Sequence, residues 1–214
     1  TTKFDQVLEL LAQRAGEGTI DNVIVDTPGQ IELFTWSASG TIITDALASH
    51  FPTAIVYVID TPKCLRPATF MSNMLYACSI LYKTRLPMIL VFNKTDVESA
   101  ELPLAWMRDV LLFQEALAED ESYMSSLVHS MSLVLEEFYQ TLRVAAVSSL
   151  TGDGMDDFFA RVEEAVQEYQ DEYRPAYEAA MAERKAAREA DKAHSLSRLL
   201  ADMSLKKQNY EEQD

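Results

Sequence analysis

A chain of 214 residues, of which 48% are hydrophobic, is long enough to bury the core of one ordinary domain. Its net charge of −16 repels the phosphate backbone of nucleic acids, so we do not expect direct DNA or RNA binding. No apolar run approaches the ~20 residues that span a bilayer, and no secretory signal opens the chain. We therefore expect an intracellular protein that does not enter a membrane.

Residues 23–30 contain the first sequence pattern that indicates nucleotide binding. The opening Val-Ile-Val predicts a short buried strand, which follows a predicted amphipathic helix over residues 3–15. The strand ends at Asp26 and the chain turns at Gly29. P-loop nucleotidases use this pattern to present a carboxylate to magnesium, usually through water, and a backbone N–H to the terminal phosphate. Gln30 stands where many GTPases position the attacking water, although an ordinary Pro-Gly turn is the alternative.

Two further apolar runs predict central strands, after a short helix predicted over residues 40–50. Residues 54–60 and 88–92 are continuously apolar, as buried parallel strands are. Between them, residues 68–83 place large apolar side chains on one helical face. The order strand, helix, strand predicts parallel pairing through a right-handed crossover. The predicted fold class is therefore α/β, a layered fold with a mostly parallel sheet, and the pattern of Asp26 and Gly29 makes it P-loop NTPase-like.

Asn93-Lys94-Thr95-Asp96 follows the second of these strands. Ligands bind such sheets at the carboxyl ends of the parallel strands, where Asp26 is also predicted to lie. Guanine presents its N1–H and 2-amino group as neighbouring donors that one carboxylate can accept, and Asp96 has that chemistry. Asn93 can bond the purine edge or brace neighbouring loops, and the aliphatic stem of Lys94 can lie over the base or sugar. Taken alone, the four residues could also form a polar helix cap.

Residues 97–143 are too many for one crossover helix, and their apolar spacing predicts an inserted hairpin of two amphipathic helices. The apolar faces of these helices suit either core packing or adaptable peptide binding. A last strand over residues 144–147 leads to Ser148 and Ser149 in a loop of small residues. GTPases contact the guanine carbonyl through backbone N–H groups of such a loop, although Gly and Ser end strands in many folds.

The remainder of the chain predicts a closing helix over residues 155–173 and then a polar segment. We expect one domain over residues 1–175, with the helical insertion at 97–143, and a polar helical or disordered tail over residues 176–214. Residues 97–175 carry 17 acidic and 4 basic side chains. This charge suits either a basic protein partner or a solvated surface that aids solubility.

Three longer runs give the chain a resemblance to a known family. They cover residues 26–40, 70–79 and 93–96, and they are far more specific than the short nucleotide motifs. Over residues 4–177 the sequence resembles the GPN-loop GTPases, most closely their eukaryotic members. The resemblance implies an enzyme that binds GTP and GDP with Mg²⁺ and hydrolyses GTP. It also implies a dimer with itself or a related GPN-loop GTPase.

The resemblance further implies a cellular role in assembly or nuclear import of RNA polymerase II, with the polymerase or its assembly factors as partners. It implies cytoplasmic residence with shuttling to the nucleus. The resemblance implies that Asp26 and Gln30 are the catalytic residues and that Asp26 is also the metal ligand. The family assigns much of the water-positioning task to its Gly-Pro-Asn loop. The remaining residues expected to contact the nucleotide are Gly29, Asn93, Lys94, Thr95, Asp96, Ser148 and Ser149.

Neither a phosphate loop of the pattern Gly-x-x-x-x-Gly-Lys-Ser/Thr nor the Gly-Pro-Asn motif occurs in these residues. In the family both lie upstream of the helix predicted over residues 3–15. Our hypothesis is therefore an N-terminally incomplete GTPase, which alone would hold a triphosphate poorly, be inactive and be destabilised by a missing strand. Two other functions are considered, a non-hydrolysing adaptor that uses the helical insertion and the tail, and an ATPase of related architecture.

Overall fold

A computed structural model describes residues 3–18, 20–118, 138–139 and 142–211, with the backbone alone for residues 193–211. Helices and strands alternate between residues 55 and 168, as expected for an α/β protein. The described elements in chain order are α1 (Lys3–Gly16), α2 (Ile31–Thr35), α3 (Ala38–His50), β1 (Ile55–Asp60), α4 (Thr61–Cys64), α5 (Pro67–Thr84), β2 (Met88–Asn93), α6 (Glu101–Arg108), α7 (Val110–Ala118), β3 (Arg143–Val147), α8 (Met155–Glu168), a π-helical turn (Tyr169–Tyr173) and α9 (Arg174–Glu211).

The centre of the described fold is a parallel sheet in which β2 lies between β1 and β3. Ile55 lies opposite Met88 and Asp60 opposite Asn93, which in turn lies opposite Val147. Helix α5 provides the crossover that parallel neighbours require. The predicted α/β, P-loop NTPase-like class is confirmed, and the carboxyl ends of the three strands lie at one edge.

The larger part of the core lies on the α5 face of the sheet. Tyr57 and Ile59 of β1 belong to the same apolar cluster as the buried face of α5. Phe70 of α5 contacts Trp106 and Phe113, with ring centroids 5.3 and 5.1 Å apart. Such aromatic pairs contribute about 0.5–1.5 kcal/mol beyond the area that they bury. The aromatic cluster therefore joins α6 and α7 to the helix that carries the crossover.

The opposite face of the sheet is only partly covered. Helix α8 packs there against β2 and β3, in a cluster that includes Ile89 and Val91. Val56 and Val58 continue that face onto β1, where they are 42% and 58% exposed. Continuous burial of this strand, expected from its apolar run, is therefore wrong for one of its two faces. The apolar run indicated a strand correctly but could not indicate that α8 stops short of β1.

The strand predicted over residues 23–26 is wrong. Residues 22–28 have no strand pairing, and Ile24 is 81% exposed. A strand needs hydrogen bonds to a neighbour, and among the described residues β1 pairs with β2 and no strand pairs with this segment. The Val-Ile-Val run has a high β-propensity, but β-propensity stabilises a strand only where neighbouring residues pack against it. The stretch that follows begins with the short helix α2.

The first of the two helices predicted for the insertion is in fact two helices, α6 and α7. The break lies at Asp109, whose backbone is extended with φ −131° and ψ 101°. Its carboxylate accepts hydrogen bonds from the N–H groups of Leu111 and Leu112 at 2.9 and 3.2 Å, which caps α7. An aspartate ahead of an apolar run is the sequence signal for such a start. Most of the second helix predicted for the insertion lies outside the described residues.

The chain divides into two compact units, residues 1–169 and 170–214. The second contains α9, in which Arg174 pairs with Glu178 at 3.0 Å. The predicted limits, 1–175 and 176–214, stay a prediction. Within the described ranges, no helix combines the length and the apolar character needed to cross a membrane.

Gly154 at the start of α8 supplies a test of the fold. It has φ 75°, and an added Cβ would lie 2.0 Å from the carbonyl oxygen of Ala146. We expect Gly154→Ala to lower the free energy of unfolding by about 3 kcal/mol, because backbone strain and overpacking both oppose it. Gly16→Ala is the control, since a Cβ there meets no atom within 4 Å. Urea denaturation followed by circular dichroism measures both, and equal stabilities would contradict this geometry.

Candidate functional site

Two loops meet at the carboxyl edge of the sheet. Residues 93–96 follow β2, and residues 148–154 follow β3. Because Asn93 lies opposite Val147, the two loops leave the sheet side by side. The Thr95 N–H donates to the Val147 carbonyl oxygen at 3.2 Å, which joins the first loop to the end of β3. The structure therefore brings together the residues that were predicted to read guanine.

Asn93 joins the two loops through its side-chain amide. Its Oδ1 accepts from the Ser149 N–H at 3.0 Å and from the Lys94 N–H at 2.8 Å. Its Nδ2 donates to Ser149 Oγ at 3.1 Å. Of the two actions considered from the sequence, the described contacts give Asn93 the second, since it braces the neighbouring loop.

Asp96 is held by a buried hydroxyl. Ser148 is fully buried, and its Oγ donates to Asp96 Oδ1 at 2.6 Å. The same hydroxyl accepts from the Thr151 N–H at 3.1 Å. A buried hydroxyl with both a donor and an acceptor role has one favoured orientation, which fixes the carboxylate. The Asp96 side chain is exposed, so a ligand can reach it.

Ser148 and Ser149 act through contacts that differ from those expected. The Ser148 N–H donates to the Asp153 carbonyl oxygen at 2.9 Å, and the Ser149 N–H donates to Asn93. Both N–H groups are already engaged within the protein, so these groups are not available to contact a guanine carbonyl in this arrangement. Their membership of the nucleotide site stays a prediction, and the described contacts make them supports for Asp96 and Asn93.

Lys94 contacts a carboxylate that the sequence reasoning missed. Its Nζ lies 2.8 Å from Oδ2 of Asp60, the last residue of β1. The Lys94 ammonium, which donates this hydrogen bond, holds the pKa of the Asp60 carboxyl below its usual range, and Lys63 adds to the effect. Parallel register sets the end of β1 beside the start of the motif, and the sequence of either strand alone does not give that register. Asp60 was interpreted only as the end of a strand.

Asp26, Gly29 and Gln30 lie on the exposed stretch that leads into α2. An added Cβ at Gly29 would meet no protein atom within 4 Å, so the space beside it is open to a ligand. The role of these three residues toward magnesium, phosphate and water stays a prediction. Magnesium keeps several waters and binds through one or two carboxylates plus substrate phosphates, so the single exposed carboxylate of Asp26 fits it.

Helix α2 is attached to α5 by polar surface contacts. The Tyr76 hydroxyl donates to Glu32 Oε1 at 3.2 Å, and Lys83 Nζ donates to the Thr35 carbonyl oxygen. The Lys83 ammonium also lies over the Trp36 ring, 5.1 Å from its centroid. Surface contacts of this kind contribute little each. Ile31 of α2 also packs against the main apolar cluster.

Comparisons with known proteins match the chain to proteins whose names describe nucleotide binding or GTPase activity. A family model described as a conserved hypothetical ATP binding protein matches residues 1–168. GPN-loop GTPase 1 of Schizosaccharomyces pombe is 50% identical over 215 residues, covering 96% of this chain and 58% of that protein. GPN-loop GTPase 1 of Saccharomyces cerevisiae is 52% identical, with 96% and 55% covered. The chain thus spans a little over half the length of these relatives.

The fold also resembles a solved structure. A GTPase from Pyrococcus abyssi, crystallised in its apo form, superposes with a TM-score of 0.60 at 24% identity. The match covers 79% of this chain and 66% of that protein. At this identity the likeness shows a shared fold.

The buried hydroxyl of Ser148 gives a test of the site geometry. We expect Ser148→Ala to lower the free energy of unfolding by about 1–3 kcal/mol, because the Thr151 N–H loses its acceptor and Asp96 loses a donor. Ser79→Ala is the matched control, since the Ser79 hydroxyl donates to a carbonyl oxygen on the surface of α5. Chemical denaturation measures both variants. A Ser148→Ala protein as stable as the control would rule out this support.

Proposed function

This chain belongs to the GPN-loop GTPase family, and on that basis we propose that the protein of which it is part binds GTP and hydrolyses it. The fold and the names of the relatives support a GTPase at the level of the family. The chain spans a little over half of those relatives, so the activity of the whole protein is our proposal.

The observation that carries the proposal is the Asp96 carboxylate, oriented by Ser148 Oγ at 2.6 Å and exposed to a ligand. Guanine offers two neighbouring donors to such a carboxylate, and adenine offers no such pair at that edge. A site with a fixed acceptor rejects a base that leaves it unpaired, since a desolvated and unpaired charge is costly. This chemistry favours guanine over the adenine suggested by the description of the family model.

We assign the phosphate end of the site to the stretch before α2. Asp26 would hold Mg²⁺ through water, Gly29 would present its N–H to the terminal phosphate, and Gln30 would orient the attacking water. A bound magnesium ion would neutralise the charge that develops on the phosphate oxygens. The openness around Gly29 and the exposure of Asp26 and Gln30 support this arrangement.

We further propose a role in assembly or nuclear import of RNA polymerase II, with the polymerase or its assembly factors as partners. The protein would form a dimer with itself or a related GPN-loop GTPase, and reside in the cytoplasm with shuttling to the nucleus. These proposals rest on the resemblance of residues 26–40 and 70–79. The acidic charge of residues 97–175 supports a protein partner over a nucleic acid.

The alternative function is a non-hydrolysing adaptor. It is favoured by exposed leucines on the helical insertion, namely Leu102, Leu111 and Leu112 of α6 and α7. Exposed leucine side chains on a helical insertion can contact an apolar peptide. The adaptor and the enzyme differ in one measurable property, which is turnover of bound GTP.

Asp96→Asn tests the guanine assignment. We expect this change to weaken GTP binding about a hundredfold and to strengthen XTP binding, because the asparagine amide can donate to the 2-oxo group of xanthine. The measurement is equilibrium binding of fluorescent GTP and XTP to the protein at its native length. Glu98→Gln is the matched control, an acid-to-amide change at an exposed position on the same segment.

Equal loss of both nucleotides in Asp96→Asn would contradict guanine recognition, and ATP binding that survives the change would favour the ATPase. Single-turnover phosphate release then separates the enzyme from the adaptor. Release that falls in Gln30→Ala supports the enzyme. Tight GTP binding with no phosphate release supports the adaptor.

The cellular proposal has its own test. We expect RNA polymerase II subunits to co-purify with the protein at its native length, and the nuclear fraction of the largest subunit to fall when Asp96→Asn replaces the wild type. Quantitative imaging of that subunit measures the effect, with Glu98→Gln as the control. Unchanged distribution without co-purification would exclude the role.

A further inference from the structure

Asp60, the last residue of β1, has its carboxylate beside Lys94 of the motif that follows β2. Asp60 lies opposite Asn93 in the parallel register, so it stands beside the residue that precedes Lys94. Lys94 Nζ lies 2.8 Å from Asp60 Oδ2, which is a good length for a charge-assisted hydrogen bond. The Asp60 side chain is 28% exposed and that of Lys94 is 51% exposed. The pair therefore lies at the rim of the site, where a ligand can reach the lysine stem.

Lys94 is held at both of its ends. Its backbone has φ 73°, in the left-handed region that residues with a Cβ seldom adopt. Its N–H donates to Asn93 Oδ1 at 2.8 Å, and its ammonium is bound by Asp60. Since neighbouring strands lie about 4.8 Å apart, a side chain that starts after β2 and ends at β1 must extend its methylenes along the carboxyl edge.

We propose that Asp60 is a positioning residue of the guanine site, which fixes the stem of Lys94 along the edge of the sheet as a platform for one face of the purine. This inference rests on the proposed function. Asp60 also neutralises the lysine charge, so Lys94 serves the base through its methylenes and not as a cation for phosphate. Lys63 reaches the same carboxylate at 3.5 Å but is 80% exposed and lies outside the motif.

The alternative to positioning is an ion pair that only stabilises the fold. The two roles predict different nucleotide affinities when substitutions at Asp60 and Lys94 are combined. If Asp60 acts through Lys94, removing Lys94 removes the effect of Asp60 on nucleotide binding, and the two changes are not additive. If Asp60 contributes only to stability, its substitution lowers the melting temperature and leaves nucleotide affinity unchanged at temperatures where the protein is folded.

The test is a double-mutant cycle on fluorescent GDP binding, with the protein at its native length. We expect Asp60→Asn to weaken binding roughly three- to tenfold, the range for a charge-assisted contact that is partly exposed. Lys94→Gln should weaken it at least as much, and the double variant should bind no more weakly than Lys94→Gln alone. Asp60→Glu should restore part of the affinity, because it keeps the carboxylate.

Lys63→Gln is the matched control, which removes the other ammonium near Asp60 and should change affinity less than twofold. Melting temperatures of all variants establish that each is folded during the binding measurement. Additive losses, or Asp60→Asn affinity equal to wild type in a folded protein, would overturn the inference. Wild-type GDP binding and the Asp96→Asn exchange of GTP for XTP are measured in the same series. If those two fail, the proposed function fails, and if they hold while the cycle is additive, only the role of Asp60 fails.

Discussion

Asp60, Asn93 and Val147 lie in one row because three strands pair in parallel with matched ends. Parallel pairing forces each connection to run back over a face of the sheet, so the carboxyl edge is left to short polar loops. The apolar clusters on the two faces hold the strands, and the strands in turn fix where the loops begin. The packing of the core therefore determines the geometry of the candidate site, although few side chains of the site are themselves buried.

At that edge, hydrogen bonds between side chains and the backbone hold loops that have no regular secondary structure. Asn93 binds three groups across two loops, and the Ser148 hydroxyl links Asp96 to the turn that follows. Each bond contributes about 1 kcal/mol net, yet together they order the loops before any ligand arrives. A binding site that is ordered in advance loses less conformational entropy when the ligand binds. The stretch around Gly29 differs, since it is attached through α2 by surface contacts and by the packing of Ile31 against the core.

The sequence predicted the sheet and the two polar loops at its carboxyl edge because those features depend on strong local signals. Continuous apolar runs marked β1 and β2, the helical spacing between them marked α5, and short motifs marked the loops. The predictions that were wrong or missed concern features that depend on contacts with other parts of the chain. Residues 23–26 have the propensity of a strand but no neighbouring strand among the described residues, and the break at Asp109 was hidden because apolar spacing continues across it. The contact between Asp60 and Lys94 was missed because register between strands cannot be read from one strand alone.

Lys94 combines a left-handed backbone, which opposes folding stability, with the side chain for which a role in guanine binding is proposed. A residue with a Cβ costs about 1 kcal/mol or more in that conformation, and glycine adopts it without strain. Lys94→Gly would therefore relax the backbone while removing the stem that reaches Asp60. A search for more stable variants of this protein would tend to select against the lysine, in the way that stabilising changes at functional sites tend to reduce activity.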